Sequence, residues 1–326
     1  MRIFSLLKHH DLAHRVAACL SLKVDPHEDR SFDDGEHKVR PLVSVREEDV
    51  YVIDSLYSET GESVHDKLCR LLFFINTLRD SGAKRVTAML PYLCYTRKDR
   101  RTKARDPLTV RYVATLLEAA GLDRIVTMDV HNLQAYQNAF RCRAEHLEAK
   151  HLFVNYFRDL LARDEGVVVM SPDIGGVKRA KAFRDKLSAA LLRDTGFAFM
   201  DKARSRGVVS GDTVVGEVAG KTVLILDDLV NSGTTIARAA AACEQRGASA
   251  AYGVVTHGVF IPASNEALAG PALKRMIITN SIQPHHLHES FVKQKLVVLD
   301  IAPVCAEAIH RLATGGSLVE LTEAEL

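Results

Sequence analysis

The residues best equipped for chemistry lie in one stretch, Lys221-Thr-Val-Leu-Ile-Leu-Asp-Asp-Leu-Val-Asn-Ser-Gly-Thr-Thr-Ile236. Asp227 and Asp228 are adjacent carboxylates, and an ionised carboxylate only accepts hydrogen bonds, which matches the vicinal hydroxyls of a ribose. Asn231, Ser232, Gly233, Thr234 and Thr235 then offer small side chains, hydroxyl donors and backbone N–H groups, just before a helix expected from about Ile236. Unpaired N–H groups and the positive end of a helix dipole favour a phosphate at such a place. The lysine and spacing of a Walker loop are absent, so this is not a nucleoside-triphosphate P-loop. Asp-Asp after a strand and Ser/Thr before a helix also serve as ordinary capping chemistry. The order of all the parts points instead to a sugar-phosphate site.

Such a site needs a strand to deliver the carboxylates and a helix to receive the phosphate. Val223, Leu224, Ile225 and Leu226 form a continuous β-favouring run, too short for an independent helix, that suits a strand buried on both faces of a parallel sheet. Ligands belong at its carboxyl end. The same alternation runs along the chain: strands are predicted over 51–53, 86–90, 125–128, 166–170 and 252–255. Helices are predicted over 64–78, 110–120, 151–162, 177–187 and from Ile236 to Arg246. In the first of these, Val64, Leu68, Leu71, Leu72, Ile75 and Leu78 share a face and Gly82 closes the element. This pattern means parallel sheets with helices on both faces. Tyr51-Val-Ile-Asp-Ser55, with a loop, a helix and Ser81-Gly-Ala83 after it, also echoes Leu224-Ile-Leu-Asp-Asp228 with its own loop, helix and Arg246-Gly-Ala248. A duplicated domain is the simplest explanation. The break is expected near Leu147 to Lys150, giving domains 1–147 and 148–304, with residues from about 305 to 326 packing back on the first.

At 326 residues the chain is long enough for two cores. A formal net charge of +2 points to neither nucleic acid nor membrane, and no apolar run approaches the ~20 residues of a membrane span. The opening Met-Arg-Ile-Phe-Ser-Leu-Leu-Lys lacks a signal-peptide pattern, so a cytoplasmic protein is expected. The cysteines at 19, 69, 94, 142, 243 and 305 are scattered, with no zinc or redox spacing. Most of them read as small core residues of a reducing compartment. His285, His286 and His288 sit in a polar loop and read as a solvated turn. The basic run Arg97, Lys98, Arg100, Arg101, Lys103 and Arg105 is interrupted by Asp99 and Asp106 and lacks interleaved aromatics. It suits a phosphate-facing or solvated stretch better than a nucleic-acid surface.

Five further motifs stand in a fixed order around the carboxylate pair. They are Phe32-Asp-Asp-Gly-Glu36, the run from Pro91 to Arg101, Asp129-Val-His131, Ser171-Pro-Asp-Ile-Gly-Gly-Val177, and Asp201-Lys-Ala-Arg204. The segment at Asp227 resembles the phosphoribosyl-pyrophosphate loop of type I phosphoribosyltransferases. Together the motifs resemble the ribose-phosphate pyrophosphokinase family over nearly the whole chain, from Ile3-Phe-Ser5 to Ala306-Glu-Ala-Ile309. The resemblance implies an α/β protein of two duplicated phosphoribosyltransferase-like domains, each a mainly parallel sheet flanked by helices. It implies transfer of the pyrophosphoryl group of ATP to the anomeric hydroxyl of ribose 5-phosphate, giving phosphoribosyl pyrophosphate and AMP.

The resemblance also implies residue roles. Asp227 and Asp228 hold the ribose hydroxyls, and Asn231, Ser232, Gly233, Thr234 and Thr235 hold the 5-phosphate. Lys202 and Arg204 close over the triphosphate as catalytic cations. Phe32, Asp34 and Glu36 line the adenine pocket from a neighbouring subunit, while Arg97, Lys98 and Asp99 contact the nucleotide. His131 and Asp173 hold Mg2+. The implied partners are ATP, ribose 5-phosphate and further copies of the chain in a homo-oligomer with shared sites, with no nucleic acid and no membrane. The family's usual acidic residue is Asn231 here, its next Thr is Ser232, its Gly is Thr234, its His after the metal Asp is Ile174, and its Gln after the Arg is Lys98. Two other readings use the same fold: a non-catalytic regulatory homologue, and a phosphoribosyltransferase consuming phosphoribosyl pyrophosphate. The second leaves the motifs at Phe32 and Arg97 without a purpose.

Overall fold

The computed structural model describes residues 1–164, 166–205 and 208–323, with the side chains of 202–212 and 322–323 outside that description. The chain forms two compact units. One holds Met1–Glu148 and the C-terminal segment from Ile301, the other Ala149–Asp300.

In the first unit the elements are β1 (Arg2–Ser5), α1 (Leu12–Cys19), β2 (His27–Ser31), β3 (His37–Pro41), β4 (Asp49–Ile53), α2 (Val64–Asp80), β5 (Arg85–Leu90), α3 (Thr109–Ala119), β6 (Arg124–Met128), α4 (Leu133–Ala139) and β7 (Arg143–Leu147). A parallel sheet runs in the order β1-β4-β5-β6-β7. Its inner strands are buried because helices cover both faces, which is why they read as unbroken apolar runs. Ser63 starts α2 with a capping box: its Oγ accepts the Asp66 N–H at 3.2 Å while the Asp66 carboxylate accepts the Ser63 N–H at 2.8 Å. Leu71, Phe74, Ile75 and Leu78 then enter the core. Strands β2 and β3 form a separate antiparallel hairpin.

The second unit contains α5 (Lys150–Leu160), β8 (Val167–Ser171), α6 (Val177–Leu191), β9 (Gly196–Ser205), β10 (Val208–Val215), β11 (Thr222–Val230), α7 (Thr234–Gln245), β12 (Ala250–Gly258), α8 (Ser264–Ala267), β13 (Leu273–Thr279), α9 (Glu289–Lys295) and β14 (Leu296–Leu299). Its sheet order is β10-β9-β8-β11-β12-β13-β14, parallel except for the antiparallel β10–β9 edge. The chain then returns to the first unit, where α10 (Ala302–Thr314) packs on α1 and α11 (Leu318–Glu323) follows. Pro303 in the first turn of α10 costs no hydrogen bond, and Ala302, Cys305, Ala306 and Ile309 are buried. No helix among the described residues is long and apolar enough to cross a membrane.

Two elements differ from the sequence reading where it matters. Strand β11 runs on to Val230, so Asp227 and Asp228 are strand residues rather than loop residues. Helix α7 starts at Thr234, two residues before the expected Ile236, because Gly233 turns the chain into it with φ +78°.

Candidate active site

At the carboxyl end of β11 successive side chains alternate across the sheet, so the paired aspartates meet different surroundings. Asp228 is only 2% exposed, whereas the Asp227 side chain keeps 24% exposure. Arg179, in the first turn of α6, donates from Nη1 to Asp228 Oδ1 at 2.8 Å and lies 3.6 Å from Asp227 Oδ1. Asp227 Oδ1 accepts the backbone N–H of Asp228 at 2.9 Å. Burial first, and the adjacent Asp228 charge next, push the Asp227 carboxyl well above the ordinary carboxylate range, with Arg179 opposing.

Beyond Val230 the chain turns through Asn231, Ser232 and Gly233. A Cβ on Gly233 would lie 2.6 Å from Leu268 Cγ, and its φ is left-handed, so glycine is required here on two counts. Ser264 Oγ donates to the Asn231 carbonyl at 2.6 Å and accepts the Ile261 N–H at 3.0 Å, tying the turn to α8. Thr234 and Thr235 are exposed in the first turn of α7, where N–H groups have no partner within the helix. Ser232 Oγ and Thr234 Oγ1 are 2.8 Å apart. Thr234 has no positive φ, so the threonine found in place of the family's glycine sits in a helical conformation without strain.

One strand over, the turn after β8 is organised by Asp173. Its Oδ1 accepts the Gly176 N–H at 3.0 Å and its carbonyl accepts Ser171 Oγ at 2.6 Å. A Cβ on Gly176 would lie 2.7 Å from Ser171 Oγ, so the turn leaves no space for one. Oδ2 has no hydrogen-bond partner among the described residues. Lys202 and Arg204 fall on β9, opposite Asp212 and Val209 of β10; their side chains lie outside the described residues.

In the first unit the turn after β6 carries Asp129, a non-glycine residue at φ +39°, and then the exposed His131. Asn132 caps α4, its Oδ1 accepting the Ala135 N–H at 3.1 Å, and its Nδ2 donates to Asp99 Oδ2 at 2.7 Å. That bond joins the loop of Arg97, Lys98 and Asp99 to the His131 turn. Arg97 and Lys98 are exposed, following Tyr95, another positive-φ residue at +62°. Both strained residues stand beside candidate ligand contacts, a common location for such strain. Phe32, Asp34 and Glu36 occupy the tip of the β2–β3 hairpin, all exposed. The Phe32 N–H donates to the Glu36 carbonyl at 2.8 Å, and the Arg30 guanidinium lies 5.0 Å from the Phe32 ring centre.

Comparisons with known proteins bear on this arrangement. Residues 1–121 match the model of the N-terminal domain of ribose phosphate pyrophosphokinase, and residues 206–322 match that of the phosphoribosyl synthetase-associated domain. The ribose-phosphate pyrophosphokinase of Fusobacterium nucleatum is 36% identical over 98% of this chain and 98% of its own. The chain belongs to the ribose-phosphate pyrophosphokinase family. The family's enzyme from Caldanaerobacter subterraneus is 38% identical, covering 98% of this chain and 97% of its own. The crystal structure of phosphoribosylpyrophosphate synthetase from Mycobacterium smegmatis superposes with a TM-score of 0.86 at 33% identity, covering 97% of this chain and 99% of that one. The fold is therefore the expected one, two α/β units with mainly parallel sheets.

Several site residues carry little signal in the sequence. Arg179 is one: it lies 49 residues before Asp228 and reads as part of the polar face of a helix. Asn132 and Ser264 are others: each is a residue type that can cap a helix, but no helix is expected from the sequence at α4 or α8. For the cation that the family implies, the donor set can be tested directly. Among the described residues no cluster of three or more His, Cys, Asp or Glu side chains forms a cage. The Asp173 carboxylate, with one oxygen held and the other open, fits a hydrated hard cation that takes most of its oxygens from water and phosphate.

Proposed function

We propose that this chain is a ribose-phosphate diphosphokinase, transferring the pyrophosphoryl group of ATP to the anomeric hydroxyl of ribose 5-phosphate and releasing AMP. The observation that carries the reading is the end of β11. There two carboxylates, a left-handed glycine and the exposed start of α7 follow within eight residues, in a chain whose relatives of that name align end to end. Asp227 and Asp228 form the ribose end of the site, and the N–H groups of α7 with Ser232, Thr234 and Thr235 receive the 5-phosphate.

ATP binds through the loop of Arg97, Lys98 and Asp99, with the hairpin tip of a neighbouring copy supplying Phe32 to stack on adenine and Asp34 and Glu36 to accept its amino group. Asp173 and His131 would hold Mg2+, which would neutralise phosphate charge. Lys202 and Arg204 donate to the phosphoryl oxygens as charge moves onto them in transfer. The anomeric oxygen attacks the β-phosphorus, the bond to the α-phosphate oxygen breaks, AMP leaves with that oxygen, and the hydroxyl proton passes to water. The site calls for a homo-oligomer, because an exposed hairpin tip cannot complete its own pocket. A cytoplasmic location accords with six cysteines, none of them in a disulfide. The test is AMP formation from ATP and magnesium with and without ribose 5-phosphate. Sugar-dependent AMP supports the assignment. ATP binding with no turnover in folded protein overturns it in favour of a regulatory homologue.

A further inference from the structure

Arg179 raises a question of arrangement. Two carboxylates in consecutive strand positions repel, and a buried one needs a partner that makes hydrogen bonds. Asp228, nearly inaccessible, takes the guanidinium at 2.8 Å. Asp227 lies 3.6 Å from the same nitrogen, too far for a hydrogen bond, and keeps an outward face. The two aspartates are therefore not equivalent. The guanidinium is also tied to the neighbouring turn: β8 pairs with β11, and Asp173 fixes the turn from which α6 begins. Arg179 is the third residue of α6, so the turn bearing the candidate metal ligand also sets where the guanidinium lies.

We propose that Arg179 is a positioning residue of the sugar site, fixing Asp228 as its own partner and leaving Asp227 as the carboxyl group that meets the ribose hydroxyls. The inference rests on the reading of the β11 end as the ribose 5-phosphate site. Arginine suits the role because its fork stays charged and holds its direction, whereas a lysine ammonium supplies charge with less directional control.

The test compares wild type with Arg179→Ala, Arg179→Lys, Asp228→Asn and the double variant Arg179→Ala/Asp228→Asn, using calorimetric titration with ribose 5-phosphate and, separately, with magnesium-ATP. Arg179→Ala is expected to weaken ribose 5-phosphate by about tenfold or more while ATP affinity stays within about twofold, as loss of one charge-assisted contact implies. Arg179→Lys should recover part of that loss. The double variant should lose much less than the sum of the two single losses, since the partners act as a pair. Unchanged sugar affinity, equal losses for both ligands, or fully additive losses would overturn the proposal.

A ligand-free measurement separates this inference from the function it rests on. The Asp227 carboxyl is titrated by carbon NMR in wild type and in the alanine variant. Its midpoint should rise when Arg179 is removed, and an unmoved midpoint would overturn the positioning role. Wild-type protein that fails to bind ribose 5-phosphate would instead count against the assigned function, leaving the titration to decide the role of Arg179.

Discussion

Asp54, just past β4, occupies in the first unit the strand-end place that Asp227 occupies in the second, and it is wholly buried. Its Oδ1 accepts the Ser55 N–H at 2.7 Å, while Oδ2 has no hydrogen-bond partner among the described residues. Burial pushes this carboxyl up to about 6, against the opposing charges of Arg70 and Lys67. Those cations are engaged elsewhere: Lys67 Nζ lies 2.7 Å from Glu59 and 3.8 Å from the Tyr57 ring centre, and Arg70 pairs with Glu62 and donates to the Leu6 carbonyl at 2.9 Å. A raised carboxyl means that the native state holds a proton the unfolded chain has released. Stability is therefore present in full below the unfolded value of 3.8 and is lost as pH rises through about 6. A rise of roughly 2 units corresponds to about 3 kcal/mol. In Asp54→Asn this loss is absent. Denaturant unfolding followed by circular dichroism should show the variant gaining about 3 kcal/mol on wild type between about pH 4 and pH 7, whatever constant offset the lost attraction to Arg70 and Lys67 adds. Parallel stability curves across that range, or a gap that narrows as pH rises, would refute the argument.

Gly233→Ala should cost about 1–3 kcal/mol, because a Cβ at a left-handed φ also meets Leu268; a melting temperature and ribose 5-phosphate affinity equal to wild type would contradict the geometry. Phe32→Ala removes a side chain that is 40% exposed at a hairpin tip, so ATP affinity should fall while the melting temperature holds. An unchanged affinity would remove the stacking role. Lys202→Ala should lower turnover by on the order of a hundredfold, about 3 kcal/mol of transition-state stabilisation, with a much smaller change in ribose 5-phosphate binding; equal losses in both would contradict its catalytic role.

The central strands were legible because burial on both faces leaves an unbroken apolar run, as in Val223 to Leu226. The continuation to Val230 was not, since the charged pair looks like the end of a strand until Arg179 is known to neutralise Asp228. The β2–β3 hairpin is hidden for the opposite reason: it is two-stranded and polar, with Val39 its one buried residue. Lys67 and Arg70 are equally hidden. A lysine and an arginine three apart on a helix read as a solvated face, yet here they are 1% and 2% exposed because Glu59 and Glu62 meet them from the loop before α2. Local periodicity thus reports backbone elements and apolar faces well. It is silent about charges whose partners arrive from elsewhere in the chain. At the sugar site, types and order were visible in Asp227 to Thr235, but which carboxylate is engaged and which glycine the turn requires became visible only in three dimensions.

The most direct measurement is phosphorus NMR of the products formed when the protein meets ATP, magnesium and ribose 5-phosphate. AMP appearing in step with a pyrophosphoryl group on the sugar is the expected result, since it reports cleavage at the β-phosphorus and capture by the anomeric oxygen. Formation of ADP with a singly phosphorylated new sugar position, or no product from folded protein, would contradict the assigned reaction.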